Sequence, residues 1–350
     1  MQKLPLPTQT LYAELLEQLM ALEAHRSIGH LAGSFVTKEI KGARYFYFQY
    51  SQPGGTLKQI YLGKADPVLQ KVLLRLEQER PKVQEEQAQI HRLCAQLRAG
   101  GALTTDSASG RVLKALADGG LFKLGGLLVG THAFAVLGNL LGYAWRSPGL
   151  KTQDVDIAAD PILKVAVPEI SADVPKILES LEMGFLPVPP FNPKHPSTSY
   201  MIRGKALRVD LLTPSTQPGK VKPIPIGRWK TFAQPVPYLN YLLKDIGPGA
   251  VINGGGILVN VPSPARYALH KLITSQERPH AFHTKVQKDQ QQAGQILQVL
   301  VAERPGDLDE AWKELKSRGP GWIKRVKASL PGLKSTLAKE HFNQIQKIFY

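Results

Sequence analysis

The stretch Leu121–Asp160 limits the fold more than any other part of the chain. It reads LFKLGGLLVGTHAFAVLGNLLGYAWRSPGLKTQDVDIAAD. The apolar residues Leu127–Val129 suit a buried strand, which stops at Gly130–Thr131. A helix-like apolar run follows. The loop Arg146–Gln153 then leads to the alternating strand Asp154–Val155–Asp156–Ile157. Successive strand side chains leave opposite faces, so Asp154 and Asp156 share one face and Val155 and Ile157 point into a core. Two carboxylates on one face repel each other unless a cation lies between them. A hard divalent ion with oxygen ligands, Mg²⁺ foremost, suits that pair.

A third acid is available. Ala206–Leu212 reads as another strand, and Asp210 is its only carboxylate. Paired beside the first strand, it would bring three Asp side chains together. Such a set can hold two ions and clamp both oxygens of an in-line displacement at phosphorus. At Gly130–Thr131, backbone N–H groups and a hydroxyl could face a phosphate.

This ordered set resembles the DNA polymerase β-like nucleotidyltransferase superfamily. The shared pattern is a strand, a Gly-Ser or Gly-Gly pair opening a helix, an Asp-x-Asp strand, and a third Asp on a later strand. GTHAF followed by T-x-DVDIA is similar to a broad group of uncharacterised bacterial proteins of that fold. Here Thr131 replaces Ser or Gly and keeps a hydroxyl. The gap from Gly130 to Asp154 is longer than usual, so Gly138–Leu150 reads as an insertion.

The resemblance implies an α+β fold: a mixed sheet with flanking helices. It implies a metal-dependent enzyme that moves an NMP from an NTP, ATP among them, to an acceptor hydroxyl and releases pyrophosphate. Asp154, Asp156 and Asp210 would be catalytic and hold two Mg²⁺ ions, with Gly130 and Thr131 on the nucleotide phosphates. A helical region after the catalytic sheet commonly supplies a cation to the triphosphate. Lys271 is the first candidate for it and Lys288 the second.

The rest of the chain divides around this unit. Residues 1–100 read as a helix over 8–27, three short strands (Ser34–Ile40, Arg44–Tyr50, Leu57–Leu62) and a long helical pattern over 67–98. Pro81 should break or kink that pattern, giving a helical hairpin or a connector packed on the catalytic unit. AGGALTT, Ala99–Thr105, is the clearest linker. Residues 101–261 form the catalytic domain. Within it Ser171–Met183 reads as an amphipathic helix, Ser197–Leu212 as a hairpin turning at Gly204, and Thr213–Pro237 as a proline-rich loop or lid. Ala250–Val261 reads as two strands around Gly254–Gly256. Residues 262–350 read as a C-terminal helical domain.

A formal charge of +16 suggests a polyanionic partner, nucleic acid before membrane, and makes RNA or tRNA the favoured acceptor. The aromatic and basic residues of the N-terminal strands could present such a partner with Tyr and Lys, or could be divided between a core face and a covered face. A protein hydroxyl or a small molecule, as in toxin-like relatives, is the alternative acceptor. A catalytically silent nucleic-acid-binding protein is the alternative from another class. The single cysteine, Cys94, excludes a disulfide framework. The start carries no apolar leader and no stretch is long enough to span a bilayer, which makes a cytoplasmic protein the expectation. His132 reads as a packed helix N-terminal residue, because that position disfavours the imidazolium a phosphate contact would need. No P-loop, zinc spacing or dinucleotide-binding glycine motif is present. Oligomeric state has no signal in the sequence.

Overall fold

A computed structural model describes residues 1–27, 33–40, 42–51, 57–146, 153–161, 171–190, 192–215, 222–278 and 283–350. The chain begins with β1 (Gln2–Lys3), α1 (Leu6–Ser27), strands β2 (Gly33–Ile40), β3 (Ala43–Ser51) and β4 (Leu57–Lys64), and α2 (Pro67–Ala99). Next come α3 (Ser107–Asp118), β5 (Leu127–Val129), α4 (Gly130–Leu141), β6 (Tyr143–Ala144), β7 (Asp154–Ala158) and α5 (Val174–Glu179). Strands β8 (Phe185–Pro187), β9 (Ser199–Ile202), β10 (Arg208–Pro214), β11 (Ile224–Ile226) and β12 (Thr231–Val236) follow. The hairpin of β13 (Ile246–Val251) and β14 (Ile257–Pro262) leads into α6 (Pro264–Glu277), α7 (His283–Glu303), α8 (Pro305–Ser317), α9 (Pro320–Leu333) and α10 (Lys339–Phe349).

The central sheet has the order β11-β12-β10-β7-β5, with β9 joined to β10 and β8 joined to β9. It is mixed: β10 runs parallel to β7 and β12, while β5 is antiparallel to β7. Val155 and Ile157 of β7 and Val209 and Leu211 of β10 are fully buried. Their alternation with acids fixes the register, because a one-residue slip would bury the carboxylates and expose the aliphatics. The fold is therefore α+β, a mixed sheet with flanking helices.

Thr213–Pro237 is not simply a loop: β11 and β12 lie within it, and residues 216–221 fall outside the described residues. Its prolines are tolerated because β12 pairs with β11 along Thr231–Ala233 and with β10 along Gln234–Val236. Pro235 thus has a strand partner on one side only, and Pro225 lies in the edge strand β11. The helix expected over Ser171–Met183 shrinks to Val174–Glu179. Asp173 caps its start by accepting from Lys176 N, and Glu182 soon takes a left-handed φ of 51°. The long N-terminal helix runs unbroken through Pro81, with no hairpin. A proline removes one intrahelical hydrogen bond, and the turns on both sides of this one continue.

Gly138–Leu150 is not a free-standing insertion either. Gly138 to Leu141 are the last turn of α4, which Gly142 ends at a φ of 76°. Gly138 lies inside the helix because Trp145 folds back over it: a Cβ there would come within 2.6 Å of Trp145 Nε1. That indole N–H donates to Phe134 O at 2.6 Å. Tyr143 and Ala144 then pair with Lys3 and Gln2. Residues 147–152 lie outside the described residues.

α1 and the end of α2 build a second core. Tyr12, Leu15, Leu19, Ile90 and Leu97 are buried there with Ala250 and Ile252 at the end of β13. The Tyr12 hydroxyl donates to Ala250 O and accepts from Ala250 N, each at 3.0 Å. Cys94 is buried in this core, which pushes its thiol up to about 11 and leaves it inert. Among the described residues no helix is long and apolar enough to cross a membrane.

Candidate active site

The pairing of β7 with β10 places Asp210 directly opposite Asp156, and Arg208 opposite Asp154. In a parallel pair opposed residues share a face, so Asp154, Asp156 and Asp210 all leave the same side of the sheet. Asp156 also sits beside Val129, the last residue of β5. There the chain turns into α4 through Gly130, at a φ of 66°. A side chain at Gly130 would run into the Asp156 carboxylate, its Cβ falling 2.9 Å from Cγ. The glycine is therefore required twice, by the backbone angle and by the acid beside it.

Burial, the Asp210 charge and the Asp154 charge push the Asp156 carboxyl up to about 7, although Lys271 and Lys288 oppose the shift. This is the expected state of a carboxylate that is buried with like charges beside it. Asp210 is held otherwise. Its Oδ1 accepts from Arg208 Nε at 2.7 Å and from the Ser199 hydroxyl, and Arg208 Nη2 donates to Ser199 Oγ at 3.0 Å. Among the described residues, no three His, Cys, Asp or Glu side chains converge as they stand into a metal-holding group. The backbone aligns the three acids, while Arg208 and Ser199 draw Asp210 to themselves. As a donor set, three hard carboxylates on one face, with the central one destabilised as an anion, fit a divalent cation.

The helical region meets this site from behind Gly130. The Tyr267 hydroxyl of α6 lies 2.8 Å from Gly130 O and 3.1 Å from Gln292 Oε1, so it tethers the turn to α6 and α7. One turn further along α6, Lys271 Nζ pairs with Asp289 Oδ1 at 2.7 Å, and Arg278 Nε takes Oδ2 at 2.6 Å. Burial opposes the charges on both Asp289 and Lys271. Their mutual attraction outweighs it, holding Asp289 below the usual carboxylate range with help from Arg278, and raising Lys271 although Arg278 opposes that shift. Lys288 is partly buried, and among the described residues it makes no ion pair. Burial and the neighbouring Lys271 charge lower its pKa, while Asp289, Asp154 and Asp156 oppose that change.

Thr131 and His132 are buried in the first turn of α4. Burial lowers His132 to about 4, with Asp106 opposing, so the ring is neutral at physiological pH. That matches a packed residue better than an anion contact.

A family model described as Nucleotidyltransferase matches residues 107–317. The chain belongs to this family. The matched span runs from α3 to the end of α8 and holds Gly130, Thr131, Asp154, Asp156, Asp210, Lys271 and Lys288. Membership carries a general nucleotidyl transfer activity with an NTP as substrate, in agreement with the superfamily resemblance of the GTHAF and DVDIA motifs. A crystal structure of an antigenic nucleotidyltransferase-like protein from Paracoccidioides brasiliensis is similar at 17% identity, with a TM-score of 0.35. The likeness covers 64% of this chain and 94% of that one. No curated protein matches.

Several residues of this candidate site escaped the sequence reading. Arg208 had a usable signal, since it lies two residues before Asp210 on the same strand and must share its face. Ser199 could be placed only once the β9–β10 register was known. Asp289 gave no signal, because an acid in a polar helical segment reads as solvated until the packing of α6 on α7 buries it.

Proposed function

We propose that this chain is a metal-dependent nucleotidyltransferase that moves an NMP from an NTP to an acceptor hydroxyl, with pyrophosphate as the leaving group. The observation that carries this reading is the opposition of Asp210 to Asp156 beside Gly130. Asp154, Asp156 and Asp210 would hold Mg²⁺, two ions in the full site. When bound, the metal would neutralise charge on the phosphoryl group and lower the pKa of the acceptor hydroxyl.

The chain's own groups do the rest. Backbone N–H groups at Gly130 and Thr131, in the first turn of α4, suit the β- and γ-phosphate oxygens. Of the two lysine candidates, Lys288 is the better direct phosphate ligand. Lys271 is committed to Asp289, so it contributes mainly positive potential behind Asp156. Negative charge grows on the leaving pyrophosphate, and a cation placed there favours the transition state over the ground state. Arg208 holds Asp210 Oδ1 and would compete with a metal for that oxygen.

The charge of +16 supports a nucleic-acid acceptor, RNA or tRNA. Incubating the protein with each α-labelled NTP, total RNA and a protein extract tests the reading. Label should enter the RNA fraction. Label in protein would move the acceptor to a protein hydroxyl, and no label in any fraction with any NTP would overturn the proposal.

A further inference from the structure

The N-terminal three-stranded sheet takes no part in the site above, yet one of its faces has a consistent chemistry. In the β2–β3–β4 register, Tyr45 lies opposite Lys38 and Lys64, and Tyr47 lies opposite Tyr61. Opposed residues share a face, so all five side chains leave the same side of the sheet. The Tyr47 and Tyr61 rings are 5.5 Å apart at 60°, and the Tyr45 and Tyr61 rings are 6.1 Å apart at 48°. Lys38 Nζ sits 4.9 Å over the Tyr47 ring.

A sheet face that covered a core would bury these rings. Instead Tyr61 is 56% exposed, and Tyr45 and Tyr47 are partly exposed. Among the described residues this face carries no carboxylate: Glu39 alternates to the other side, opposite Arg44. Its remaining polar groups include the Gln59–Gln49 amide pair, joined at 2.6 Å. Three open aromatic rings flanked by lysines, on a chain of charge +16, complement a polyanion that has flat apolar groups of its own.

We propose that this face binds single-stranded nucleic acid, with bases stacked on Tyr45, Tyr47 and Tyr61 and phosphates held by Lys38 and Lys64. A duplex keeps its base faces inside its own stack, so it cannot use the rings. A lipid surface would want a larger apolar projection than the exposed Ile40 beside Lys38, since the rest of this face offers hydroxyls, amides and ammonium groups. The inference stands on the sheet alone and does not depend on transfer chemistry.

Fluorescence anisotropy on the full chain tests it, with labelled oligouridine and oligothymidine of about 12 nucleotides and a duplex of equal length. No NTP or metal is added. Both single strands should bind more tightly than the duplex. A preference between them separates RNA from DNA as the natural ligand and leaves the surface assigned. Tyr61→Ala and Tyr47→Ala should each weaken binding about tenfold, while Tyr61→Phe, which keeps the ring, should bind like the wild type. Lys38→Ala and Lys64→Ala should each reduce the slope of log affinity against log salt by about 1. Because binding is read without NTP or metal, a failure here is distinct from a failure of the catalytic proposal. Circular dichroism confirms that each variant is folded. Wild-type binding by the folded Tyr47→Ala/Tyr61→Ala double variant, or tighter binding of the duplex, would overturn the assignment. So would binding to phosphatidylserine vesicles but to neither oligonucleotide.

Discussion

Gly130 is where backbone and chemistry constrain each other most tightly. Its positive φ and its contact with the Asp156 carboxylate both exclude a side chain. Gly130→Ala should therefore cost about 1–3 kcal/mol in urea denaturation and remove transfer activity, because relieving the clash displaces Asp156. Asp156 itself predicts a pH dependence. With burial and its acidic neighbours pushing it up to about 7, the metal-free carboxyl holds a proton that a divalent cation must displace. Mn²⁺ affinity should accordingly fall as pH drops below about 7 and level off above it. Calorimetry in buffers of different ionisation enthalpy should find proton release below that point, and pH-independent affinity would refute the prediction. Arg208 acts in the same direction as that proton. It occupies an Asp210 oxygen and adds positive charge, so Arg208→Gln should strengthen Mn²⁺ binding. The pair is partly exposed, which limits the gain to about fivefold.

Among the secondary elements, α6 and α7 carry two lysines in different settings, Lys271 paired with a buried Asp289 and Lys288 partly buried. Lys271→Met strands the buried Asp289 with Arg278 alone, and should cost about 3 kcal/mol in denaturant titration. Lys288→Met should leave stability nearly unchanged and raise KM for the NTP. The opposite pattern would exchange their roles. The strands show what was legible in advance. The alternation of Asp154–Ile157 placed two acids on one face and Val155 and Ile157 in the core, which holds in β7, and the strand read around Asp210 is present as β10. The proline-rich segment before Pro237 misled, because β12 draws its two partners from different halves of its length, and no local pattern announces that. Trp145 closing over Gly138 was equally hidden, since a glycine in a helical run reads as a boundary until its packing partner is known.

For the molecule as a whole, sequence could order the pieces but could not say how they meet. Tyr12 bonds to Ala250 across most of the chain, so α1 and the end of α2 share a core with the β13–β14 hairpin. The helix expected over 8–27 is present in α1, but nothing local named what covers it. The acids were readable because two of them lie two residues apart on one strand and the third is the only acid of another. Ser199, which meets Asp210, and Asp289, which meets Lys271, depend on packing that the local sequence does not announce. The central claim is that three carboxylates aligned by β7 and β10 perform nucleotidyl transfer. Its most direct test is the rate of pyrophosphate release from α-labelled NTP, coupled to label incorporation, for the wild type and for folded Asp156→Asn and Asp210→Asn. The account predicts that each substitution lowers both rates together by about a hundredfold or more. Wild-type rates in either variant would contradict it.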